Sequence, residues 1–383
     1  MHKMQFTIKV FALSIWHCAF LTACASAPTL PPLSTLAPTA PPPSTAAPFV
    51  SAATFPSPTP LATATLRPTP TPTATPEPLL RPLTTGGCCV QPFFSPDGQQ
   101  VWFIDKPNET SPSGLWGVPL TGGEPQFITE KIGLLSPDGL LMAYPEAGQT
   151  YVERVATGER WTVPAAGRAI FFSPDNQQIA WQEASASANF DRRQVTFWVA
   201  QADGTNARSV LSVIGGGLAG WMPDNQRLLI TGRESYDVEP YLATVHTTDR
   251  TLTGLARSLN IRNAVPSPDG SWVAYQINFT GDMARDGLWI AKTDGSAAEK
   301  LSVFGAFRWR DESQLLVIPL ELGRGGQRIL QVEAATARVS VLVPETPNFR
   351  IAAGDWNLST DGNQLVFVNA DDRNIWLMNL PNQ

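Results

Sequence analysis

Histidine is almost missing: the 383 residues hold three, and two of them, His2 and His17, fall within the first 23. A histidine-built metal site is therefore excluded, and the chain shows no HExxH, CxxC or GxSxG pattern. Charge is also scarce, at 16% against roughly 25% in ordinary domains. The balance is acidic, 27 Lys and Arg against 33 Asp and Glu, which speaks against nucleic acid because phosphate binding needs clustered cations. No cofactor is called for. Cysteine is limited to four, and His246 is the one histidine beyond the amino-terminal stretch. What the chain does have is 43% hydrophobic residues and 12 Trp, enough for a substantial core.

The amino terminus reads as a targeting signal. Lys3 and Lys9 precede the apolar run from Val10 to Ala23. As a helix that run spans about 21 Å, short of a hydrocarbon core of about 30 Å. It ends in Leu21-Thr22-Ala23-Cys24, which resembles the lipobox of bacterial lipoproteins. The resemblance implies cleavage before Cys24 and a lipid on its thiol, so residues 1–23 are a signal peptide and the membrane is a partner through the lipid. Removing residues 1–23 takes away two lysines and no acid, moving the formal charge from −6 to −8. The alternative is a plain secretory signal with a chance cysteine.

Residues 24–78 form a second compositional unit. Between Ala25 and Pro78 there are 16 prolines and only two charges, Arg67 and Glu77. Such a segment cannot bury enough apolar surface to offset ordering, so it is expected to be a disordered linker.

Internal repetition organises residues 79–383. The motif runs FSPDGQQVWF (94–103), LSPDGLLMAY (135–144), FSPDNQQIAW (172–181), WMPDNQRLLI (221–230) and PSPDGSWVAY (266–275). Degraded copies follow, WRDESQLLVI (309–318) and LSTDGNQLVF (358–367). The acids Asp97, Asp138, Asp175, Asp224, Asp269, Glu312 and Asp361 recur every 44 residues on average. In each, proline sets the first corner of a type I turn, Asp bonds nearby amides, and Gly or Asn accepts the left-handed residue. Apolar strands flank the turns, and the unit reads as an antiparallel four-strand meander. One carboxylate per turn is too few for calcium, so the acids are turn caps.

These repeats resemble the WD-like propeller of the TolB family of periplasmic proteins. The resemblance covers about four-fifths of the chain and implies an all-β propeller of four-stranded antiparallel blades. Seven copies give seven blades, with six, the family's number, as the alternative. The chain also lacks the family's amino-terminal αβ domain, so the family's partners do not carry over. Residues Leu79 to Thr84 read as a displaced last strand that closes the ring against the final unit.

The uniform turns occupy one face of such a propeller, and the varied loops 105–114, 183–193, 232–240 and 278–287 occupy the other. At aligned positions near the mouth stand Lys131, Arg168 and Arg262, candidate anion contacts or partners of neighbouring acids. The loops add Phe190, Arg192, Arg193, Tyr236, Phe279, Met283 and Arg285, residue types suited to a protein or glycan surface. Cys88 and Cys89 lie on the crossing into the first unit, either as a vicinal disulfide or as two thiols. The expected function is a non-enzymatic, lipid-anchored extracytoplasmic scaffold binding an envelope protein, peptide or glycan. The alternative is a carboxylate-dependent hydrolase or lyase of envelope polysaccharide.

Overall fold

The computed structural model describes residues 80–187, 189–321 and 325–381, without the side chains of Phe190 and Ala353. The signal peptide, Cys24 and the proline-rich linker lie outside the described residues. No helix among the described residues is long and apolar enough to cross a membrane.

The chain folds as an all-β propeller of antiparallel meanders. The first blade orders Val90–Phe94, Gln100–Asp105, Gly114–Pro119 and Gln126–Thr129. The second orders Leu134–Leu135, Leu141–Glu146, Gln149–Arg154 and Arg160–Val163. A wide sheet then runs from Phe171–Phe172 to Leu252–Arg257. The third blade begins with Ile261–Pro266 and the fourth with Gly305–Trp309. The closing blade holds Ile351–Leu358, Gln364–Asn369 and Ile375–Asn379, with Leu80–Pro82 as its outer strand.

The expectation of seven separate blades is corrected here, and six equal blades are not seen either. Five sheets have four strands and one has seven. The cause is the strand Arg208–Trp221, 14 residues long. Its first half pairs with Gln194–Gln201 and its second half with Arg227–Arg233. The register shifts between Ile214 and Gly217, where Gly215 and Gly216 take φ of 62° and 76°. These glycines let one strand end one meander and begin the next, so the third and fourth repeats share a sheet.

Apolar side chains pack between neighbouring sheets, and strands such as Gly114–Pro119, Tyr241–His246 and Gln364–Asn369 are buried along most of their length. Leu115 and Phe93 meet Met142 and Tyr144 between the first and second blades. Leu288 and Ile290 meet Phe307 and Trp309 between the third and fourth. Val101 and Phe103 meet Ile375 and Leu377, which joins the closing blade to the first. Leu80 pairs with Met378 and Pro82 with Trp376, in the antiparallel register the displaced strand requires. Leu83 donates to the Ile375 carbonyl at 2.7 Å, and Thr84 Oγ1 accepts from the Ile375 amide at 2.9 Å.

The turns carry a repeated lock. The hydroxyls of Ser95, Ser136, Ser173 and Ser267 donate at 2.6 Å to the Asp two residues later. The same Asp accepts the amide two residues further on, as at Gln99 and Ser271. In the degraded sixth copy the acid was expected to be Glu312; Asp311 does the work, accepting the Ser313 and Gln314 amides at 2.8 Å. Indoles add ties between meanders: Trp221 donates to Phe171 O and Trp309 to Val265 O, each at 3.0 Å.

Candidate functional site

Three loops of the variable face are joined side by side. In the first, Phe190–Arg192 forms a 3-10 turn held by Asn189 Oδ1, which accepts the Asp191 amide at 3.0 Å. Arg193 Nε donates to Ser187 O at 2.8 Å, so its charge is turned back onto its own loop. In the second loop, Tyr236 donates to Arg192 O at 3.4 Å, and the Arg192 guanidinium lies 5.9 Å from the Tyr236 ring. Arg233, at the base of that loop, donates to Asp191 O at 3.2 Å. Between the second and third loops, Arg285 grips Glu239 with two hydrogen bonds of 2.9 Å and also donates to Arg257 O at 3.1 Å. Arg257 in turn binds Glu234 at 2.5 and 3.2 Å.

This ladder fixes the charge states. The Arg257 hydrogen bond holds Glu234 below the usual carboxylate range, and the Arg285 bond does the same to Glu239. Asp286 is held down by the Thr280 hydroxyl and amide within the third loop. Lys300 Nζ reaches into the same loop, donating to Met283 O at 2.7 Å, and the Trp289 indole donates to Arg285 O at 2.8 Å.

On this frame stand exposed apolar groups. Tyr236 is 56% exposed, Phe279 82% and Met283 89%. Phe279 has φ of 58°, and its carbonyl accepts from Asn260 Nδ2 at 3.3 Å. Beside Arg257, an open recess is lined by Tyr241, Leu252, Gly254, Leu255 and Ala256. The arrangement suits a macromolecular contact: loops tied to one another, aromatic and Met side chains, and charges already matched.

The mouth cations are placed differently. Lys131 lies 3.3 Å from Glu146, and Arg168 3.3 Å from Glu183 while also donating to Ala165 O. Arg262 sits on Ile261–Pro266 opposite Gln276 and is likewise engaged by its surroundings. Lys131 and Arg168, on crossings between sheets, are thus paired with acids of the sheet that follows, whereas Arg192, Tyr236 and Arg285 are brought together in the rim. Phe190 contributes its backbone to the 3-10 turn, and its side chain lies outside the described residues. Reading the sequence missed Glu234, Glu239 and Arg257. The acids crowded into RESYDVEP were the available signal, since a short loop with that many carboxylates needs cations nearby.

Cys88 and Cys89 are paired as a disulfide in the crossing to the first blade, within the core that closes the ring. His246 lies 3.1 Å from Asp249 and 3.3 Å from Gln226 Oε1, and accepts the Thr248 and Asp249 amides.

No family model matches the chain. The Tol-Pal system protein TolB of Anaeromyxobacter dehalogenans is 35% identical over 82 residues, which are 21% of this chain and 18% of that protein. The propeller is TolB-like. The matched stretch spans about a fifth of that relative's length, so likeness is established for the repeats and not for the whole protein. Among solved structures, oligogalacturonate lyase from Vibrio parahaemolyticus superposes with a TM-score of 0.58 at 12% identity, over 80% of this chain and 98% of that one. The acylaminoacyl peptidase of Pyrococcus horikoshii gives 0.51 at 13% identity, over 77% of this chain and 52% of that one. Both show a shared fold. A second lyase structure contains manganese. Among the described residues no group of three His, Cys, Asp or Glu is gathered, and His246 is turned to Asp249 and Gln226.

Proposed function

We propose that this chain is an extracytoplasmic binding lipoprotein, tethered through Cys24 and the linker to residue 78, whose TolB-like propeller presents the rim of loops 185–193, 232–240 and 278–287 to a protein, peptide or glycan of the cell envelope. The observation that carries this reading is the pairing of contacts between loops with exposed apolar side chains. Glu239–Arg285 joins loop 232–240 to loop 278–287, Glu234–Arg257 ties the former to the end of strand Leu252–Arg257, and Tyr236, Phe279 and Met283 are exposed beside them. Large apolar groups held in water by an ordered frame cost solvation that a partner recovers. The Lys131, Arg168 and Arg262 positions take a supporting role at the mouth, Lys131 and Arg168 through their ion pairs with Glu146 and Glu183.

A carboxylate-dependent hydrolase or lyase is less well supported. A general acid needs a carboxyl held above its ordinary range, and Glu146, Glu234, Glu239 and Asp286 are all shifted downward by their partners.

Crosslinking capture from intact envelopes tests the rim. The triple change Tyr236→Ala, Phe279→Ala, Met283→Ala should reduce capture at least tenfold, since buried aromatic anchors are each worth about 2 kcal/mol. Lys292→Glu, on the turn face, should leave it intact; the reverse pattern would place the binding face wrongly. For the tether, Cys24→Ser should abolish fatty-acid labelling and membrane association together, and a mutant that keeps both would refute it.

A further inference from the structure

The fourth blade begins with Gly305–Trp309, and two arginines near its end differ in what they meet. Arg310 is buried but satisfied: it donates to Gln331 Oε1 at 3.2 Å and to Pro381 O at 2.9 Å, with Asp311 and Asp361 favouring its charge. Arg308 is not. One of its nitrogens donates to Phe307 O at 2.9 Å, and the guanidinium lies 5.2 Å from the Trp356 ring on the closing blade. No carboxylate among the described residues pairs with it, and burial alone pushes its pKa down. Arg308 is half-buried, and a partly desolvated cation without a counter-charge is costly, a cost that a ligand carrying one negative charge would offset.

A second donor sits in the same place. Trp356 is 3% exposed, and its indole nitrogen is buried without a hydrogen-bond partner. Trp221 and Trp309, on the corresponding strands of other meanders, each donate to a neighbouring carbonyl. The Trp356 indole nitrogen has no protein acceptor, and the Arg308 guanidinium, with one bond to Phe307 O, lies over the same ring.

We propose that Arg308 and Trp356 form a binding site for a monocarboxylate, seated between the fourth and closing blades. A planar carboxylate matches the fork of a guanidinium and leaves an oxygen for the indole. One cation balances one charge, so a monoanion fits better than a doubly charged phosphate. The aromatic face beneath the guanidinium fixes its orientation. The site is separate from the loop rim and does not depend on it.

Calorimetric titration of the full chain tests this, with benzoate as probe, benzamide as its uncharged counterpart and inorganic phosphate as the other anion. Benzoate should bind one to one, and benzamide at least about tenfold more weakly. Arg308→Met should remove benzoate binding while the melting temperature holds or rises, because an uncompensated, half-buried charge is gone. Arg308→Lys should bind with reduced affinity, having lost the fork. The Trp356 indole N–H resonance, assigned with Trp356→Phe, should move on adding benzoate. Absence of benzoate binding by the folded chain, equal binding of benzamide, tighter binding of phosphate, or an unmoved Trp356 resonance would each overturn the proposal. Should Arg308→Met fail to fold, the benzoate–benzamide difference and the Trp356 resonance decide.

Discussion

Asp97 and Asp361 show how one residue type stabilises a repeated turn. Each takes a serine hydroxyl, from Ser95 and Ser359, and then a backbone amide, and these bonds hold both carboxyls below the ordinary Asp value of 3.8. A group held down in the folded state contributes stability that is complete above the unfolded value. That contribution is lost as pH falls through the lower folded value. Melting temperature should therefore be level near neutrality and drop as pH falls below about 4. The double change Asp97→Asn, Asp361→Asn should make that drop shallower in melts recorded from pH 6 to pH 2; an unaltered slope would show that these acids do not hold the turns. The capping role was legible in the sequence because serine, proline and aspartate stand at fixed offsets. It was misassigned only in the sixth copy, where Asp311 and Glu312 are neighbours and only contact with the Ser313 and Gln314 amides separates them.

At the scale of elements, the meanders were readable and their boundaries were less so. Turn motifs and alternating apolar strands mark each unit, but Gly215-Gly216-Gly217 reads as a crossing between units. In the fold these residues lie inside one continuous strand. Whether three glycines make a loop or a bulge depends on what lies beside them, and at Gly216 that is the Thr231 carbonyl, which a Cβ would strike. Gly216→Ala should accordingly cost about 2 kcal/mol or more, through the clash and a positive φ. Gly254→Ala, where an added Cβ meets nothing within 4 Å, should change stability by no more than about 0.5 kcal/mol. Denaturant melts of the two variants make the comparison, and equal losses would argue against a strained bulge. The loop rim was half legible. Its aromatic and arginine residues were apparent, yet Arg285 and Glu239 lie 46 residues apart and meet only because neighbouring meanders set their loops side by side. The same dependence on tertiary placement hid the ion pairs of Lys131 and Arg168, and left Arg308 unremarked as one cation among many.

At the scale of the whole molecule, the rim and the inner-strand site both require a ring that is closed, so that each inter-sheet core is complete. Closure rests on a short strand far from its partners in sequence. Leu80–Pro82 pairs with the last strand, Leu83 is buried against Val366 and Ile375, and Thr84 ties back to the Ile375 amide. This could be anticipated because the final repeat ends after its third strand and an unclaimed apolar stretch precedes the first. The most direct test is to compare two truncations in a calorimeter. Deleting residues 24–77 removes only chain that precedes the described propeller, and its melting temperature should match that of the parent. Deleting residues 24–85 removes the closing strand with half-buried Leu80 and buried Leu83, and should cost about 3–5 kcal/mol, the scale of losing that apolar burial with its backbone pairing. A lower melting temperature for the longer deletion alone is the predicted result; equal melting temperatures for both would contradict a propeller closed by its first strand.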